Sequence, residues 1–91
     1  MAKNDKDYIL KSLEEIDKII NYSQNKTLFD ICDNDVLLDS IVFRMIQMSE
    51  QLNNISIDLK VKHPEIEWID IKGFRNRLVH SYGNVDIHFF V

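Results

Sequence analysis

Apolar residues recur at three- and four-residue steps along most of the chain, a rhythm that predicts helices rather than strands. Ile9, Leu13, Ile16 and Ile19/Ile20 repeat at that spacing after Asp5 and Asp7, predicting a first helix over about 5–24. Residues 26–34 read as a connector in which Leu28, Phe29 and Ile31 are expected to dip into the core. Asp33, Asn34 and Asp35 then offer N-caps for a second helix over about 35–53. Ile41, Met45, Met48 and Leu52 line one of its faces, and Leu38, Val42 and Ile46 another beside it. So wide an apolar face predicts burial on two sides, the second supplied by another subunit.

Asn53-Asn54-Ile55-Ser56 breaks the pattern, and Ile57 to Lys62 reads as a short helical piece. Pro64 is expected to open the third main helix, where its missing N–H costs nothing. Glu65 and Glu67 would complement the positive end of that helix's dipole, and Lys72, Arg75, Arg77 and His80 the negative end. Gly73 in its interior predicts a close helix approach, and Gly83 is placed to end the helix in a left-handed conformation. Asn84-Val85-Asp86 could start a fourth helix, with only Ile87 to Val91 following.

Composition agrees with this reading. The 91 residues suit a single domain, 1–91, and contain only two Gly and one Pro. The apolar fraction of 45% and charged fraction of 29% are ordinary for a globular protein. The net charge of −4 argues against a constitutive nucleic-acid binder, but its distribution is uneven. Residues 1–71 carry eight Lys/Arg against fourteen Asp/Glu, whereas Lys72, Arg75 and Arg77 face only Asp86 after that point. Anion binding is therefore expected late in the chain. Cys32 is the single cysteine, which excludes an intrachain disulfide and a cysteine zinc cluster. No signal-peptide pattern follows Met1, and no apolar run approaches the roughly 20 residues of a membrane span, so a cytoplasmic setting without membrane contact is expected.

The candidate chemistry lies in Arg75-Asn76-Arg77-Leu78-Val79-His80-Ser81-Tyr82. A helix turns about 100° per residue, so Trp68, Arg75 and Tyr82, spaced by sevens, share a face. His80 falls roughly 140° round from Arg75, so one helix does not aim both at a single phosphate. That spacing predicts a composite site, with local distortion or a second chain bringing the pair together. A histidine can take a proton from a ribose 2′-OH or give one to a leaving 5′-oxygen. An arginine offers a rigid fork of donors to the phosphate. The pair thus meets the needs of RNA cleavage without a metal, and no cofactor is expected.

The string His63-Pro64-Glu65-Ile66-Glu67-Trp68, followed by Ile71-Lys72-Gly73-Phe74 and the eight residues above, resembles the core signature of the HepT-like HEPN ribonucleases, an R-x4-H-x-Y motif. The resemblance implies an all-α, homodimeric, antiparallel up-and-down four-helix bundle, its last helix short or truncated here. It implies a metal-independent endoribonuclease toxin of a type VII toxin–antitoxin pair, with Arg75 and His80 catalytic in a cleft between subunits and Asn76 assisting. Lys72 and Arg77 would be RNA-phosphate contacts. It further implies a minimal nucleotidyltransferase antitoxin that transfers AMP from ATP onto Tyr82. Glu50 resembles a recurrent acidic position of the family, and reads equally well as a partner of the motif or as a solvated helix-end carboxylate. Trp68 reads as core or dimer packing, Met45 and Met48 as core, Cys32 as a small hydrophobe, and His63 and His88 as incidental. The alternative is a non-catalytic HEPN module that binds RNA or a nucleotide, or that only pairs with the nucleotidyltransferase.

Overall fold

A computed structural model describes the backbone of residues 4–83 and the side chains of 4–81. All the regular structure among the described residues is helical: α1 Asp5–Ser23, α2 Leu28–Cys32, α3 Asp35–Asn53, α4 Ile57–Lys62 and α5 Trp68–Gly83. The central element is α3, against which α1, α5 and α2 pack. Two long-range ties fix the direction of α1. Arg44 pairs with Glu15 at 3.0 Å, and the Asp5 carboxylate accepts from Ser56 just beyond the end of α3. Going forward along α1 is therefore going backward along α3. Glu50 of α3 meets Arg75 of α5, while Asn53 lies with Trp68, so α5 is antiparallel to α3 as well. The result is the expected all-α, up-and-down arrangement.

Among the described residues the buried aliphatic side chains are Ile41, Val42, Ile46 and Ile55. Met45, Met48 and Leu52 are only half-buried. Because α1 and α5 both pack on α3, its wide apolar face is covered on two sides within one chain. The width alone therefore does not require a second subunit.

The buried side of α1 also differs from expectation. Its most buried positions are Asp5 and Ser12, while Ile9, Leu13 and Ile20 are exposed. Ser12 on α1 and the fully buried Ser49 on α3 are both withdrawn from solvent. Each hydroxyl is satisfied inside its own helix, Ser12 Oγ donating to Tyr8 O at 2.8 Å and Ser49 Oγ to Ile46 O at 3.0 Å. On α1, then, the most buried positions are small or polar, while Ile16 and Ile19 are half-buried and Ile9, Leu13 and Ile20 exposed.

The stretch between α1 and α3 forms α2 through a capping box. Thr27 Oγ1 accepts from the Asp30 N–H at 3.0 Å, and Asp30 Oδ2 accepts from the Thr27 N–H at 2.9 Å. Leu28 and Phe29 are 77% and 74% exposed, so neither enters the core; Ile31 is half-buried and Cys32 exposed. Of the three possible caps for α3, Asn34 serves, its Oδ1 accepting from the Leu37 N–H at 3.0 Å. The short α4 forms where expected, capped by Ser56.

Pro64 does not open α5. Residues 63–67 turn first, with His63 O accepting from the Ile66 N–H and from Trp68 Nε1. Helical bonding starts with the Ile71 N–H donating to Glu67 O at 3.1 Å. The helix then runs unbroken to Gly83, and the expectations about the end of α5 beyond it and about residues 84–91 lie outside the described residues.

Asp5 clamps this end of the bundle. Its carboxylate accepts from Ser56 Oγ at 2.6 Å and Ser56 N–H at 2.8 Å, and these bonds hold its pKa below the ordinary aspartate value. A depressed carboxyl pKa contributes stability that is present above the unfolded value, near 4, and is lost as pH falls through the folded one. The Tm advantage of wild type over Asp5→Asn is thus expected to shrink between about pH 5 and pH 2. Thermal melts by circular dichroism check this, and a gap that stays constant over that range would contradict it.

Candidate functional site

A groove of about 440 Å³ runs between the end of α3, α4 and the first half of α5. Lys72, Arg75 and Asn76 line it from α5, and Glu50 from α3. The seven-residue spacing brings Trp68 to the same groove as Arg75, as the unbroken helix requires.

Arg75 is half-buried and forms an ion pair with Glu50 through Nε. Its Nη1 donates to Asn76 Oδ1 at 3.3 Å. The guanidinium is therefore held from two sides. An arginine fixed in this way can present donors to a phosphate with less loss of freedom than a solvated one. The Glu50 contact decides between the two sequence readings of that residue: it is a partner of the motif.

Lys72 and His80 are exposed, and His80 is not among the described residues lining the groove. Within one chain, Arg75 and Asn76 come together, and His80 stays apart from them on another part of α5. Arg77 is also separate. It is exposed and folds back along its own helix, with Nη1 3.5 Å from where a Cβ on Gly73 would sit. Among the described residues, no other helix comes within 4 Å of that position, so Gly73 accommodates Arg77 rather than a crossing helix in this chain. The Tyr82 side chain lies outside the described residues.

The remaining titratable groups near α5 serve its start. Glu67 is pushed above the ordinary glutamate value by its hydrogen bond to, and the charge of, Asp70 in the first turn. His63 Nδ1 lies 3.0 Å from Glu65 Oε2 on the exposed turn. Among the described residues no group of three His, Cys, Asp or Glu side chains is gathered to hold a metal, and no helix is long and apolar enough to cross a membrane.

Three lining residues carried no site signal in the sequence: Asn53, Lys60 and Ile69. Asn53 is the last residue of α3 and Lys60 belongs to a separate short helix. Only the antiparallel return of α5 across the end of α3 brings them to Arg75. Knowledge of that pairing, rather than any local pattern, would have found them.

Comparison with known proteins agrees with the motif. Residues 9–89 match the family described as ribonuclease HepT-like. The chain is 33% identical over 92 residues to "Probable ribonuclease HepT" of Thermococcus cleftensis, covering 96% of this chain and 79% of that protein. It is 30% identical over 87 residues to a provisionally named RNase of Methanocaldococcus jannaschii, covering 94% of this chain and 72% of the relative. No solved structure gives a significant match.

Proposed function

The chain belongs to the HepT-like ribonuclease family, and from that premise we propose that it is a metal-independent endoribonuclease whose working site needs two copies of the chain. Ribonuclease names among its relatives support an RNase-type function. The observation that carries the mechanism is the fixed Arg75 in a groove with Asn76 and Lys72.

In this reading Arg75 donates to the non-bridging oxygens of the scissile phosphate and stabilises the charge that grows there in the transition state. Asn76 orients the guanidinium through the bond to Nη1. Lys72 and, further along α5, Arg77 hold neighbouring phosphates. His80 moves the proton. The ribose 2′-oxygen attacks phosphorus, its proton leaves, the bond from phosphorus to the 5′-oxygen breaks, and that oxygen is protonated. The products are a 2′,3′-cyclic phosphate and a free 5′-hydroxyl. Because His80 lies away from the Arg75 groove in one chain, the His80 that completes a site comes from the second copy of a homodimer.

The biological role in this reading is that of a toxin paired with a minimal nucleotidyltransferase. That partner would transfer AMP from ATP to the Tyr82 hydroxyl with release of pyrophosphate. A phosphate-bearing adduct close to the cleft repels and blocks RNA. Intact-mass measurement of protein co-expressed with the transferase tests this step, and wild-type protein without added AMP removes it.

Purified protein incubated with total RNA in excess EDTA is expected to cut it, leaving cyclic phosphate ends. Cleavage that appears only when Mg²⁺ is restored would overturn the metal-independent mechanism. The separation of His80 from Arg75 within one chain also favours a second reading, an RNA-binding module without catalysis. Tight RNA binding with no cleavage under either condition would decide for it.

A further inference from the structure

The groove holds more than the motif uses. We propose that it is a single-nucleotide subsite in which Trp68 carries an unpaired base of the RNA while Lys60 and Lys72 hold the phosphates beside it. This rests on the ribonuclease reading and adds the residues that would set which nucleotide lies next to the cut.

Trp68 is half-buried and stands at the start of α5 beside Ile69, which is 87% exposed, so this end of the helix is not part of the chain's own core. The indole is nevertheless pinned. Its Nε1 donates to His63 O at 3.0 Å, and Lys60 Nζ stands over one face of the ring, 5.7 Å from its centroid. Lys60 is itself positioned by donating to Asn53 O at 3.0 Å, one of the three donors an ammonium has. A fixed aromatic ring in an open groove is a stacking platform of the kind that holds splayed single-stranded bases.

Charge and size agree. Lys60, Lys72 and Arg75 face the one carboxylate of Glu50, in a chain whose net charge is −4. Such local excess of cations has an anionic occupant as its natural complement. The volume of about 440 Å³ lies within the roughly 300–1,000 Å³ of small-ligand sites. Asn53 and Asn76 line the same space, and an amide side chain carries both donors and an acceptor for a base edge. Arg75 sits two turns along from Trp68, so a base on the indole leads its phosphate toward the catalytic guanidinium.

Trp68 is the only tryptophan, so fluorescence excited at the red edge, where the three tyrosines do not absorb, reports this site alone. Titration with short 2′-O-methyl oligonucleotides, whose blocked 2′-oxygens prevent cleavage, is expected to quench it saturably. By anisotropy, Trp68→Phe should keep its affinity, while Trp68→Leu should lose about 5- to 100-fold. Lys60→Gln, which leaves the core untouched, should lower the slope of log affinity against log salt by about 0.7. Circular dichroism separates a folding defect from a lost platform, and the Lys60 variant tests the site independently if Trp68→Leu does not fold. Binding without quenching, with affinity unchanged in the leucine variant and the salt slope unchanged in the glutamine one, overturns the subsite and leaves the ribonuclease reading intact. Failure of the ribonuclease reading shows separately, as wild-type protein that quenches on binding but never cuts RNA.

Discussion

Arg75→Ala is expected to slow RNA cleavage by about 10²–10³-fold, the usual consequence of removing one donor aimed at developing charge. His80→Ala should cost about 10²–10⁴-fold through the lost proton transfer. Neither change should unfold the protein. The Arg75 Nε that meets Glu50 is out of solvent, but the two side chains as wholes remain 35% and 39% exposed, and pairs between such partly exposed groups contribute about 0–1 kcal/mol. His80 is exposed. Initial rates on a labelled oligoribonucleotide, together with circular dichroism, check both statements. Full activity in either variant would remove that residue from the mechanism. The 140° between the two residues on α5 allows a sharper test. If each site takes Arg75 from one chain and His80 from the other, two inactive variants refolded together form heterodimers with one intact site. An equimolar mixture should then recover about a quarter of wild-type activity, half of the dimers being mixed and half of their sites whole. No recovery in demonstrated heterodimers would mean that the two residues do not act across the interface in this way.

The parts of the protein that were legible in the sequence are those written in local chemistry. The limits of α3 followed from its caps and apolar spacing, and Asn34 caps it where the run of Asp and Asn suggested. The sharing of a face by Trp68 and Arg75 followed from helical geometry alone. The misreadings have physical causes. Periodicity marked Ile9, Leu13, Ile16 and Ile19/Ile20 along α1; Ile16 and Ile19 are half-buried, whereas Ile9, Leu13 and Ile20 are exposed and Ser12 is buried, its hydroxyl satisfied within its own helix. The T-x-x-D capping box at Thr27 and Asp30 was present in the sequence, but the apolar Leu28 and Phe29 drew the reading toward a core-filling connector. Proline at 64 is compatible with a helix start, but the carbonyl of His63 is taken up by the turn and by the Trp68 indole. The groove itself was not legible, since Asn53, Lys60 and Arg75 meet only through tertiary pairing.

Ile46→Ala is expected to cost about 2–5 kcal/mol, the range for truncating a well-buried aliphatic side chain. Ile46 is 6% exposed and lies on α3, the element on which α1 and α5 both pack, so the cavity would open in the middle of the bundle. A 91-residue domain at about 0.05–0.15 kcal/mol per residue has roughly 5–14 kcal/mol in all, so the loss is a large fraction of the total. The four buried aliphatic side chains among the described residues leave few others there to absorb the change. Denaturant titration should show a lower midpoint with little change in slope. Ile69→Ala is the matched control: it removes the same atoms from a residue 87% exposed in this chain, and should leave monomer stability nearly unchanged. The contrast also bears on the site. Glu50 follows Ile46 by one turn of α3 and holds Arg75, so loosening the core should weaken cleavage even below the midpoint, where most molecules are folded. Equal tolerance of alanine at both positions would mean that the α3 contacts do not form the core on which the site is built.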